Sequence, residues 1–159
     1  MKLHEKAKNG NLQGEVLTEE LLNNRDEKGH TVWHYAAQFG SLKNIPKHFF
    51  TKEAMSQINH TKAGSVWNFA AEHGTLKDIP KHLFTEETFN QKILGITLWH
   101  VAAQNRTLGD IPEHLFTEEA LNEKDFLGTT VWQHAAHNGT LKDIPSCFFT
   151  IEGSGSISK

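Results

Sequence analysis

His48, His82 and His114 each stand two residues after the proline of an Ile-Pro phrase, and Cys147 holds the same place in a fourth copy. Imidazole and thiolate are zinc ligands, but zinc needs its donors near 2 Å. These four lie 34, 32 and 33 residues apart. A regular spacing of that kind puts one donor on each of several stacked layers, and packed helices sit about 8–10 Å apart. No shared metal is expected. His134 and His137, three apart on one predicted helix, could touch an ion together but lack a third ligand, so both are read as surface residues. Cys147, the only thiol, is surrounded by no cysteine-nucleophile signature. His34 and His100 could act as bases, yet the equivalent positions hold Asn68 and Gln133, which hydrogen-bond but do not take up a proton. No phosphate-binding glycine loop, paired Cys-x-x-Cys or His-Glu-x-x-His occurs. The expectation is a protein that is not an enzyme and has no cofactor.

The elements carrying these residues repeat. Trp33, Trp67, Trp99 and Trp132 each open a near-copy of one block: TVWHYAAQFGSLKNIPKHFFT, SVWNFAAEHGTLKDIPKHLFT, TLWHVAAQNRTLGDIPEHLFT and TVWQHAAHNGTLKDIPSCFFT. A period of this length marks a stacked array rather than one closed globule. Such arrays offer long continuous surfaces for partners.

One block can be read residue by residue. In Val131–Asn138 the pairs Val131/Ala135 and Trp132/Ala136 fall at helical i, i+4 spacing, with Thr130 as N-cap and Gly139 as the stop. The adjacent alanines admit a neighbouring helix closely. A second helix is predicted after Leu141, with Asp143 as N-cap, Pro145 in the first turn, and Ile144 and Phe148 as its buried stripe. The same phrase recurs at Asn44-Ile45-Pro46, Asp78-Ile79-Pro80 and Asp110-Ile111-Pro112. Thr18-Glu19-Glu20, Thr85-Glu86-Glu87 and Thr117-Glu118-Glu119 each signal one further short helix. The Asp/Gly-rich run Asn122–Thr129 reads as a turn tip before the next Trp helix.

The order N-x-x-D-x-x-G-x-T-x-x-H-x-A-A-x-x-G-x-L resembles the ankyrin repeat. It stands here as Asn23, Asp26, Gly29, Thr31, His34, Ala36, Ala37, Gly40 and Leu42, and again as Asn122, Asp125, Gly128, Thr130, Ala135, Ala136, Gly139 and Leu141. Gly95, Thr97, His100, Ala102, Ala103 and Leu108 match in the fourth unit, and His4–Leu12 half-matches in a first, polar unit carrying Lys2, Lys6 and Lys8. The resemblance implies an all-α, ankyrin-like solenoid of about five stacked helix pairs, with short turn tips and an extra helical turn per unit. One domain over residues 1–150 is expected, in units of about 1–29, 30–63, 64–95, 96–128 and 129–150, with 151–159 as a flexible tail. T-V-W-H replaces the family's T-P-L-H, and D-I-P-K-H-L-F rewrites its second helix. Arg106 takes the place of the glycine stop, at a cost of about 1 kcal/mol if it is left-handed. The tip at His60–Gly64 carries one extra residue and that at Asn90–Gly95 lacks one, so both are expected to be irregular. By the same resemblance, His34 and His100 tie together the turn before the inner helix.

Ankyrin-like stacks recognise partners with turn tips and the ends of inner helices. Mapped here, these are Glu27, Lys28 and His30, then Leu94 and Ile96, then Phe126, Leu127 and Thr129. The helix ends add Phe39, His73, Asn105, His137 and Asn138. Ile93, Leu94, Ile96, Phe126 and Leu127 on adjacent tips would form an apolar patch of the kind that marks a partner surface, or else fold back over the stack. A protein partner is therefore expected. The net charge of −3 argues against nucleic acid, and the lack of a long apolar run argues against a membrane. One cysteine and no signal peptide suit the cytoplasm. Phe148 and Phe149 end the last block with no following unit to cover them. Either Ile151 and the tail fold over that face, or the chain self-associates there, or it is a piece of a longer repeat protein. A structural or self-associating role is the alternative.

Overall fold

The computed structural model describes residues 3–59 and 64–149, so the His60–Gly64 tip (Gly64 apart), Lys2, Ile151 and the rest of the tail lie outside the described residues. Within that range all regular structure is helical, and β-pairing is limited to three isolated bridges beside turns. The chain forms two compact units, Met1–Leu83 and Phe84–Lys159. The first holds α1 (Leu3–Lys8), α2 (Glu19–Asn23), α3 (Val32–Phe39), α4 (Lys52–Met55) and α5 (Val66–His73). The second holds α6 (Glu86–Asn90), α7 (Leu98–Gln104), α8 (Glu118–Asn122) and α9 (Val131–His137).

Each Trp helix is only seven or eight residues long, so its ends matter greatly. All four begin with a capping box. The residue three beyond the cap returns a side-chain acceptor to the cap amide: His34 Nδ1 to Thr31 N at 3.0 Å, Asn68 Oδ1 to Ser65 N at 3.0 Å, His100 Nδ1 to Thr97 N at 3.1 Å and Gln133 Oε1 to Thr130 N at 2.8 Å. At the far end α3 and α5 stop at left-handed Gly40 and Gly74. Arg106 follows α7 with φ +63°, in the strained region glycine would occupy freely.

The predicted second helix is replaced by two 3-10 turns. Leu141–Asp143 and Ser146–Phe148 are separate turns, with Ile144 extended between them (φ −86°, ψ 133°). Ile45, Ile79 and Ile111 are extended in the same way. Proline's ring clashes with the preceding residue in the helical region, so the Ile-Pro junction breaks the helix, and Asp143 ends a turn instead of capping one. Ile144 is buried as predicted, whereas Phe148 is half-buried. The short helices expected at Thr18, Thr85 and Thr117 do form, and a fourth starts at Thr51: Oγ1 of each of these threonines accepts from the amide three residues on.

In the first unit α3 packs between α1 and α5. Thr75 Oγ1 donates across to the Ala37 carbonyl at 2.7 Å, an approach possible because Ala36 and Ala37 carry only a methyl group. Trp33 is buried against Phe50, ring centroids 4.9 Å apart. In the second unit α7 packs on α9, and Trp99 lies between Phe89 and Phe116 at 5.4 and 4.7 Å. Each buried aromatic ring of this size removes roughly 150–250 Å² from water, which makes these rings the main fastening of each layer. Indole N–H groups are also engaged: Trp33 donates to Asn23 at 3.1 Å and Trp99 to Asn90 at 2.8 Å. In the last block Trp132 Nε1 and Asn122 Oδ1 are both buried without a partner, and Ala136 is exposed where Ala37 and Ala103 are fully buried.

Candidate partner-binding surface

Two tips are built by one device. Asp26 Oδ1 accepts from Lys28 N at 2.9 Å and His30 N at 3.0 Å, and Asp125 Oδ1 accepts from Leu127 N and Thr129 N, both at 2.9 Å. A carboxylate that bonds its own backbone two and four residues on fixes the turn without help from the two residues between. The other oxygen ties the tip to the Trp helix behind it, taking the Tyr35 hydroxyl in the first case and His134 Nε2 at 2.8 Å in the second. Burial pushes both carboxyls up. The donors outweigh it and hold Asp26 and Asp125 below the ordinary carboxylate range. Burial, reinforced by the Asp26 charge, pushes the Tyr35 hydroxyl up, so it remains a donor.

The tip before α7 lacks that aspartate. Ile93 and Ile96 instead exchange both backbone bonds, N to O at 2.8 and 3.2 Å, across a two-residue turn with Leu94 and Gly95 at φ +54° and +83°. Two positive φ values in such a turn orient the hairpin tightly, at a strain cost for leucine. A side chain on Gly95 would come within 2.9 Å of Phe126 Cβ, so the two tips touch there.

The expected binding residues fall into two groups. In the first unit Glu27 and Lys28 are exposed, while His30 is half-buried and stacks on Tyr35 at 5.0 Å. Tyr35 lies 6.5 Å from exposed Phe39, which links tip to helix end. His73 is exposed beside Glu72 at 3.8 Å. In the second unit Leu94, Phe126 and Leu127 are 73%, 71% and 77% exposed, which answers the question of fold-back for these three. Ile93, Ile96 and Thr129 are half-buried. Asn105 and Asn138 use their side-chain amides to hold the ends of α7 and α9, donating to Val101 O and His134 O at 2.8 Å each. His137 is exposed, but His134 is half-buried on Asp125, which corrects the reading of that pair as surface residues. Tyr35 and His134 were missed because their aspartate partners lie nine residues upstream, beyond any helical spacing.

His34 and His100 hold structure. His34 Nδ1 accepts from Thr31, so Nε2 carries the proton and donates to Gln57 O at 2.9 Å. His100 repeats the arrangement with Glu123 O at 2.8 Å. Burial lowers both, His34 to about 4, and each stays neutral near pH 7. His48, His82, His114 and Cys147 are all exposed. Among the described residues no group of three or more His, Cys, Asp or Glu could hold a metal, and no helix is long and apolar enough to cross a membrane.

No protein-family model matches the chain, and no curated protein matches it. Leu94, Phe126 and Leu127 are exposed on short hydrogen-bonded turns.

Proposed function

We propose that this chain is an ankyrin-like repeat solenoid acting as a non-enzymatic protein-interaction module, with Leu94, Phe126 and Leu127 as its anchor residues. The observation that carries the reading is the exposure of three large apolar side chains on two tips that touch through Gly95. An exposed cluster of this kind loses water contact only when a partner covers it, and a few such anchors dominate binding free energy. Preformed tips add to this, because little conformational entropy is lost on binding. The partner is a protein segment presenting apolar side chains. Capture of partners from the source cell by wild type and by Leu94→Asp/Phe126→Asp tests it, with circular dichroism to verify folding. A partner lost by the folded variant supports the reading; a partner kept by it rejects these anchors.

A second reading, a structural or self-associating scaffold in the cytoplasm, is favoured by the last block. Gln57 from the following block donates to Asn23 at 2.8 Å, whereas Asn122 Oδ1 and Trp132 Nε1 are buried and unpaired and Ala136 is bare. Phe149, 5.3 Å from Trp132, borders that face with Phe148. Loss of a dimer on Phe149→Asp would support it, and a wild-type monomer at high concentration would reject it.

A further inference from the structure

Charge is segregated along the chain. Met1–Leu83 carries eleven Lys/Arg against nine Asp/Glu, and Phe84–Lys159 carries five against ten. The excess is localised on turns that occupy one position in successive blocks. On the first unit's 3-10 turns, Lys43 and Lys47 in one block and Lys77 and Lys81 in the next are all exposed, with half-buried Asp78 among them. The same turns of the second unit hold Gly109, Glu113, Lys142 and Ser146. The basic lane is thus confined to the first unit.

An opposite lane runs on the second unit. Glu86 and Glu87 open α6, and Glu118 and Glu119 open α8; all four are exposed. Their carrier helices are fixed in equivalent places, α6 on α7 and α8 on α9, with α7 stacked on α9. In the first unit this position carries Glu19 and Glu20 once and a mixed Lys52/Glu53 once, so no continuous acidic lane forms there. Each lane thus sets its charges at one position of two successive blocks, Lys43 and Lys77 being 34 residues apart and Glu86 and Glu118 32. A basic row facing an acidic row is electrostatically complementary, which steers encounter and disfavours like-charged pairings.

We propose that the basic lane of one copy docks on the acidic lane of a second copy of this chain, giving a weak, salt-sensitive self-association. It is independent of the apolar tips. Exposed ion pairs are individually weak and screened, with a Debye length of about 30 Å at 0.01 M salt and about 3 Å at 1 M, so the association belongs to low salt.

Sedimentation equilibrium on the full chain reads this directly. Wild type is expected above its 17.9 kDa monomer mass in 0.01 M salt and at that mass in 1 M salt. Lys47→Glu/Lys77→Glu and Glu86→Lys/Glu118→Lys are each expected to be monomeric alone and to associate when mixed. Glu86→Gln/Glu118→Gln, which keeps helix starts neutral, replaces the second variant if circular dichroism finds it unfolded, and is expected to be monomeric. A wild-type monomer at low salt, association that survives 1 M salt or the lysine reversals, or folded reversal variants that fail to associate on mixing would each overturn the proposal. Survival of association in the reversals together with its loss in Phe149→Asp would assign it to the C-terminal face.

Discussion

The tips at Asp26 and Asp125 share a backbone and differ in what they show to solvent. Each has an aspartate closing the turn on two amides, a glycine at φ +77° or +82°, and a second carboxylate oxygen anchored to the Trp helix. Between these fixed points stand Glu27 and Lys28 in one and Phe126 and Leu127 in the other. Since neither pair contributes a side-chain bond to the turn, neither is needed to build it. Scaffold and surface are separable within each turn, and the exposed apolar pair is what the proposed partner surface would use.

The largest expected break falls on the histidine caps behind the first tip. The neutral His34 is favoured by the fold, with a value of about 4 against 6.5 in the unfolded chain. Its contribution is complete above pH 6.5 and is lost as the pH falls towards 4, where the unfolded chain takes a proton the folded chain refuses. The loss reaches about 3 kcal/mol. Urea midpoints at pH 7 and 4.5 should separate for wild type and separate less for His34→Gln, which leaves the lowered His100 in place and keeps an acceptor for Thr31 as Gln133 does for Thr130.

Next comes the closing aspartate. Asp125→Ala leaves the amides of Leu127 and Thr129 and the His134 ring without their acceptor, a loss of about 2 kcal/mol. Asp26→Ala should cost less, because the Asp26 side chain is 24% exposed against 3% for Asp125, and water can replace it. Equal losses in chemical denaturation would contradict the claim that the second tip is the more deeply anchored.

A smaller effect of opposite sign separates the hairpin tip from both. Leu94→Gly relieves a left-handed leucine and should stabilise the chain by about 1 kcal/mol while weakening partner binding. Arg106→Gly, at φ +63°, should stabilise similarly without touching the tips. A destabilised Leu94→Gly would mean that the side chain serves the fold.

The sequence exposed much of this. The start of α9 was legible because Thr130 stands as a cap before the apolar pairs of the Trp helix, and its Asp/Gly tip because aspartate bonds locally. The outer helix was misread at Ile144-Pro145, where proline looked like a first-turn residue although its steric demand on Ile144 breaks the helix. The two tips meet at Gly95 and Phe126, residues 31 apart in sequence, a contact that no local pattern encodes. The cross-links Tyr35–Asp26 and His134–Asp125 were hidden for the same reason.

The central claim is that the second tip's apolar pair serves a partner. Exchanging it for the first tip's pair, Phe126→Glu/Leu127→Lys, tests this most directly, by comparing partner capture with wild type at equal concentration. Stability should change by under about 0.5 kcal/mol, since both side chains are exposed and unbonded to the turn, and the partner should be lost. A folded exchange variant that retains its partner undiminished would contradict the account.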